Sequence, residues 1–469
     1  MLISKRLTFR AVAEMAGLVI GALSVIYISR VVGPEYLGFS ATTGAALLLV
    51  SRLADGGLTS LASQRLARDD EKLDALLAVT LPPKIVASAI LIMATLLVTY
   101  LLPLDPRLKY FIAVSVFLVF FEACTPAWVF VAMGRINAAS AIRIGQSFLY
   151  AASLLIFIHK PEDWKYLPFL TLFNSVINLA MATAFLWHFK LYSFDRALFK
   201  HQYIRKVKAF YREAGHFLKA ELSVYVYTTS DRLILYYFTN AHTVGIYEAA
   251  YKVINPFYSI NSVITPTMFR ELAQSFKQGK LYPVMAKYVF TMSIFTIPLG
   301  FFLLFFSRDV VSLLYGTKFL GSVDPLRILG FVITFGFTSG IIVQPFAVWN
   351  MSKEYGASIF WGNVLNTILN FSLIPFFGAV GAALATLAAK VIVTVVGYIY
   401  FKKTTDYPIV KDFYYFFSAS IIPTVIVATL ASFALNRYVL MITYGIIYLI
   451  IVAFMYNKYF KFNQRPTTG

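Results

Sequence analysis

Residues Glu221 to Ser262 read ELSVYVYTTSDRLILYYFTNAHTVGIYEAAYKVINPFYSINS. The stretch predicts two apolar helices that meet at a short turn over Asn240-Ala241-His242. It nonetheless carries Glu221, Asp231, Arg232, His242, Glu248 and Lys252. Glu221, Tyr225, Thr228 and Arg232 recur at i, i+4, i+7 and i+11, which places them on one face of the first helix. Glu248, Lys252, Asn255, Ser259 and Ser262 repeat that spacing on the second. Ionisable groups are costly against lipid, so polar stripes on helices of this length read as the wall of a wet cavity inside a membrane protein.

The rest of the chain agrees. Of 469 residues, 59% are hydrophobic and 13% charged, with a mean hydropathy of +0.72, more apolar than a soluble domain tolerates. One crossing takes about 20 helical residues. On that ruler the chain is an all-α polytopic membrane protein of about fourteen helices. They lie near 9–31, 36–63, 80–102, 110–133, 137–158, 166–189, 214–239, 243–270, 285–306, 325–350, 355–376, 379–401, 414–435 and 438–458. Only Gly378 and its neighbours separate the eleventh from the twelfth. The run 9–31 is too long for a cleaved signal segment and reads as a retained first helix. The single cysteine, Cys124, rules out an internal disulfide. The histidines show no metal-ligand spacing, and there is no phosphate-binding G-x-x-x-x-G-K-[ST] loop, so neither a metal nor a nucleotide cofactor is expected.

A formal charge of +19 in a soluble protein would suggest nucleic acid as a partner. Here the loops explain it. Twenty-six Lys and Arg fall in one alternate set of loops, including Lys84 and seven in 190–212, against nine in the other set. The positive-inside rule places the rich set, and both termini, on the cytoplasmic side. The 190–212 segment is also amphipathic, which suits plain topology charge or docking on anionic headgroups.

A repeat is visible. An offset of 207 pairs Ala13-Glu14-Met15 with Ala220-Glu221-Leu222, and Leu37-Gly38-Phe39 with Val244-Gly245-Ile246. Pro126 and Pro345 each fall in the fourth helix of their half. Six helices per half give both halves the same orientation, a parallel repeat. The expected organisation is an N-lobe over 1–189, a basic cytoplasmic linker over 190–213, a C-lobe over 214–401, and two appended helices with a cytoplasmic tail over 402–469.

Within the spans lie the cations Arg52, Arg143, Lys219, Arg232, Lys252 and Lys390, and the acids Glu14, Asp55, Glu122, Glu221, Asp231 and Glu248. Each costs about 2.5–3.5 kcal/mol at a helix centre, so they are expected to face inward and to pair. Glu248 and Lys252 form an i, i+4 pair of favourable polarity. Arg52, Asp55 and Thr59 share a face of the second helix. Cations held at low dielectric attract phosphate, so Arg52, Arg143, Arg232, Lys252 and Lys390 are candidate substrate contacts, with Tyr225 and Asn255 beside them. Asp55, Glu122 and Glu221 are candidates for ion coupling. For each, the competing reading is a structural ion pair or a packing residue.

Two stretches also carry a family likeness. SRVVGPEYLGFSA (Ser29 to Ala41) and SDRLILYYFTNAHTVGIYEAAYKV (Ser230 to Val253) resemble the Wzx-type O-antigen flippases of the multidrug/oligosaccharidyl-lipid/polysaccharide exporter superfamily. The resemblance implies a two-lobed transporter, not an enzyme, in the bacterial inner membrane. Its cargo would be a polyprenyl-diphosphate-linked oligosaccharide, with membrane lipids, a polymerase and a chain-length regulator as partners and no nucleic acid. Of the cations, Arg232 in the Asp-Arg motif is the one the resemblance reaches. Alternatives are a drug/cation antiporter of the same superfamily, or a membrane polysaccharide polymerase or ligase.

Overall fold

The computed structural model describes residues 17, 19–191, 203–433 and 436–463. Glu14, the start of the first helix and residues 192–202 of the linker lie outside it, as do the side chains of Ser259 and Ser262. Helices account for the described secondary structure, and ten of them are long and apolar enough to cross a membrane. Contacts divide the chain into two compact units, 1–236 and 237–469.

The first unit contains α1 (Val19–Val32), α2 (Pro34–Asp55), α3 (Leu58–Ala67), α4 (Leu73–Leu101), α5 (Pro106–Ser115), α6 (Leu118–Cys124), α7 (Trp128–Ala132), α8 (Ile136–Phe157), α9 (Leu167–His188) and α10 (Tyr203–Thr228). It also contains most of α11 (Ser230–Phe238). The second unit holds α12 (Ala241–Lys277), α13 (Leu281–Tyr315), α14 (Val323–Val348), α15 (Ser352–Thr404), α16 (Ile409–Ala431) and α17 (Arg437–Asn463).

Where the expected spans depart from the observed helices, the cause is a local break. The span expected as 36–63 is cut into α2 and α3 at Gly56 and Gly57, whose φ values of 63° and 78° are left-handed. The span near 110–133 is three short helices, α5, α6 and α7, and the α6–α7 junction falls at Thr125-Pro126-Ala127. The seventh span begins earlier than expected, at Tyr203, and is interrupted after Thr228. The weakest expected boundary is present: α15 kinks at Gly378, with φ 52° and ψ −125°. Asn240 caps α12, its side chain accepting from the Thr243 amide at 2.9 Å, at the turn expected over 240–242.

Prolines inside these helices free carbonyls, and tyrosines take them up. Pro82 in α4 leaves the Ala78 carbonyl without its helical donor, and the Tyr203 hydroxyl donates to it at 2.9 Å. Pro298 in α13 does the same to Ile294, whose carbonyl accepts from Tyr448 at 2.7 Å. The first of these contacts fixes the start of α10 against α4. A cluster of Leu58, Leu61, Ala62, Leu76, Phe210 and Ala214 continues the contact, so α10 packs with α3 and α4 in the first unit. The division by contacts therefore falls later in the chain than the linker.

Candidate functional site

The consecutive glycines that end α2 also build the site. A side chain at Gly57 would put Cβ 2.5 Å from the Ala214 carbonyl oxygen and 2.6 Å from the Leu218 amide. A Cβ on Gly56 would meet the Tyr211 ring at 2.8 Å. The bare backbone lets α10 approach the α2–α3 corner closely. Seven residues beyond Ala214, and so on the same face of α10, Glu221 reaches the corner. Its carboxylate pairs with Arg52 at 3.3 Å and accepts from Ser60 at 2.6 Å.

The same corner turns Asp55 into a cap. With the helix interrupted, the Thr59 amide donates to Asp55 at 3.2 Å, and the Thr59 hydroxyl donates to the other carboxylate oxygen. Lys84 of α4 closes the group, with Nζ 2.9 Å from Asp55 and 2.9 Å from the Thr59 hydroxyl. Glu122, on α6, accepts from Ser51 at 2.6 Å and makes no ion pair among the described residues. Together these residues, with Asn178 of α9 and Trp128, line a cavity of about 380 Å³ inside the first unit.

Three carboxylates thus meet two cations. Two carboxylates are matched one to one and the third, on Glu122, is surplus. A hollow with one carboxyl group that no cation matches has the chemistry to take up a proton or a small cation. No cluster of metal-ligating side chains is present among the described residues.

Arg52, Asp55, Glu122 and Glu221 of the candidate residues are brought together here. Lys84 is a correction to the sequence reading: counted as a cytoplasmic loop charge, it is 5% exposed and part of this site. The missed signal is position, because Lys84 follows Pro82-Pro83 well inside an apolar helix rather than ahead of one.

The other candidates lie elsewhere. Tyr225 is buried and donates to the Ala45 carbonyl at 3.0 Å. Arg232 is buried, 3.0 Å from the Asp231 carboxylate, and also donates to the Thr228 carbonyl at 2.9 Å. Arg143 is exposed on α8. In the second unit, Lys252 pairs with Glu248 at 3.3 Å as their spacing predicts, and Asn255 is exposed one turn further along α12. Lys390 lies 5.8 Å from the centre of the Tyr258 ring, a cation–π distance. A polar pair went unread in the sequence: Asn370 donates to Asn366 at 3.1 Å, both are buried, and the Asn370 carbonyl oxygen has no hydrogen-bond partner. The i, i+4 spacing of two amides in an apolar run was the available sign.

A profile described as "Polysaccharide biosynthesis protein" matches residues 5–272, more than half of the chain. The chain belongs to that family. Among the family's relatives it is 22% identical to a "Probable low-salt glycan biosynthesis flippase Agl15" of Haloferax volcanii, over 82% of this chain and 80% of that one. It is 21% identical to a "Putative O-antigen transporter" of Escherichia coli (strain K12), over 83% and 94% respectively. A shorter match, 27% identical over 165 residues, spans 32% of a membrane protein of Methanocaldococcus jannaschii. The fold is that of "Lipid II flippase MurJ", with a TM-score of 0.76, 15% identity and coverage of 96% of this chain and 99% of that one. An inward-facing multidrug transporter of the MATE family follows at a TM-score of 0.60 with 12% identity, covering 83% of this chain and 95% of that one.

Proposed function

We propose that the protein is a flippase for a polyprenyl-diphosphate-linked oligosaccharide in the bacterial inner membrane. The sugar headgroup crosses through protein while the prenyl tail stays in lipid. The family and the names of its relatives support the cargo class. The observation that carries the reading is the first unit's hollow, where five ionisable groups meet, four of them on helices long and apolar enough to cross a membrane. A membrane protein keeps such a set where something charged moves.

In this reading the lobes over 1–189 and 214–401 rock about the linker 190–213, with 402–469 appended and both termini cytoplasmic. Polymerase and chain-length regulator remain the proposed partners. Arg52, Arg143, Arg232, Lys252 and Lys390 meet the diphosphate, with Tyr225 and Asn255 alongside. For Arg232 and Lys252, the diphosphate takes the place of Asp231 and Glu248 as the counter-charge. Of the coupling candidates, Asp55 and Glu221 are engaged by Lys84 and Arg52, which leaves Glu122 as the group that takes up and releases the coupling ion.

The test is reconstitution into liposomes carrying a labelled lipid-diphosphate-sugar, following loss of label from one leaflet. Wild-type protein is expected to accelerate translocation, and Arg232→Ala and Lys252→Ala are expected to abolish it while still inserting. Unchanged translocation in both variants, or none above protein-free liposomes, would sink the reading.

A further inference from the structure

A second cleft in the first unit, of about 910 Å³, lies between the first turns of α4 and the N-terminal half of α10. Its charged lining is four cations, Arg65, Lys72, Lys206 and Arg212, and two carboxylates, Glu71 and Glu213. Both carboxylates are committed to one cation. One guanidinium nitrogen of Arg65 pairs with Glu71 and another with Glu213, and the group lies 4.9 Å from the centre of the Phe210 ring. Lys72, Lys206 and Arg212 are exposed and make no ion pair among the described residues. The cleft therefore carries a net formal charge of +2, and three of its cations are not paired with its own acids.

Two further features say what would compensate them. Lys72 is the N-cap residue of α4 and gives the first turn no side-chain hydrogen bond, so the positive end of that helix adds to the field at the cleft, offset in part by Asp74. At 29 residues α4 is about 44 Å long, against a hydrocarbon core of about 30 Å. The excess of about 14 Å is enough to lift its first turns, which supply Lys72, Ala75, Ala78 and Val79 to the cleft, into the headgroup layer. The geometry points to a binding site for the phosphate group of a lipid headgroup, with Lys72, Lys206 and Arg212 as its contacts and Arg65 as the clamp that holds α10 against α3. The ligand's phosphate belongs either to an anionic bilayer lipid or to the diphosphate end of a lipid-linked sugar. Only the second of these sources rests on the proposed cargo; the first does not.

The experiment is titration of detergent-purified full-length protein with short-chain phosphatidylglycerol, with phosphatidylcholine of the same chains, and with inorganic diphosphate. Wild-type protein is expected to prefer phosphatidylglycerol, and the Lys72→Gln/Lys206→Gln/Arg212→Gln variant to lose the preference, by about fivefold per cation at low salt. Should the triple variant fail to fold, Arg212→Gln alone is expected to weaken binding by about fivefold. Displacement of phosphatidylglycerol by equimolar diphosphate assigns the site to a diphosphate end, and failure to displace assigns it to bilayer lipid. Equal binding of the two lipids by wild-type protein overturns the inference. So does an equal loss in Lys190→Gln/Arg205→Gln/Lys208→Gln, which removes as many exposed cations outside the cleft.

Discussion

Lys84 Nζ sits 2.9 Å from the Asp55 carboxylate, with 5% and 15% of the two side chains exposed. The pair joins α4 to the end of α2 across a membrane-spanning unit. Removing one partner strands the other's charge away from water. Lys84→Met is therefore expected to cost about 3–5 kcal/mol, read as a large fall in the thermal midpoint of the purified protein. Lys84→Met with Asp55→Asn removes both charges and should regain most of that loss. A double variant as unstable as the single would show that the lysine matters by shape rather than charge.

Glu122 differs from its neighbours in having a hydroxyl, Ser51, as its partner instead of a cation. As a hypothesis, it is the group whose occupancy changes during transport. Glu122→Gln keeps the shape and fixes the neutral form. The expected result is translocation in liposomes that no longer responds to an imposed proton gradient, with protein insertion unchanged. A variant that follows the gradient as wild type does would move the coupling role to another carboxyl.

Gly57 combines a φ of 78° with backbone of α10 at 2.5 Å from where a Cβ would stand. Gly57→Ala meets both the left-handed penalty and a clash that no side chain can relieve, and is expected to cost more than about 2 kcal/mol. Gly134→Ala is the control: its φ is 68° with open space around it, so it carries the backbone penalty alone, about 1–2 kcal/mol. Thermal midpoints of the two variants decide the matter; equal losses would remove the role given to the close approach.

Outside the membrane spans, Asp105 caps α5. Its carboxylate accepts from the Arg107 amide at 2.7 Å and from the Arg107 side chain at 3.1 and 3.3 Å. Burial pushes the carboxyl up, but these bonds outweigh it and hold the group below its ordinary 3.8. The stabilisation is therefore complete above the unfolded value and is lost as pH falls through the lower folded one. Asp105→Asn should lower stability at pH 7, where the ionised carboxylate contributes fully, and flatten the acid limb of a stability-versus-pH curve below about pH 5, so that the variant converges with wild type in acid. An identical acid limb in the variant would contradict this.

The residues separate what was legible from what was not. Spacing along one helix is a local quantity, so the Glu248–Lys252 pair, the turn at Asn240 and the kink at Gly378 could be read from the chain alone. Hydropathy over about 20 residues gave the membrane class for the same reason. Arg52 and Glu221 are 169 positions apart, and nothing local says that they meet. Lys84 read as a loop charge because a span's boundary is blurred in sequence while its burial is sharp in space.

Sequence by itself determined that the chain is a many-helix membrane protein and which polar residues share a helix face, because both follow from helical period and transfer energy. Tertiary packing decided which polar groups became partners. That choice was settled by how closely two backbones can come, and here it rests on two glycines without side chains at the corner where α10 lies down.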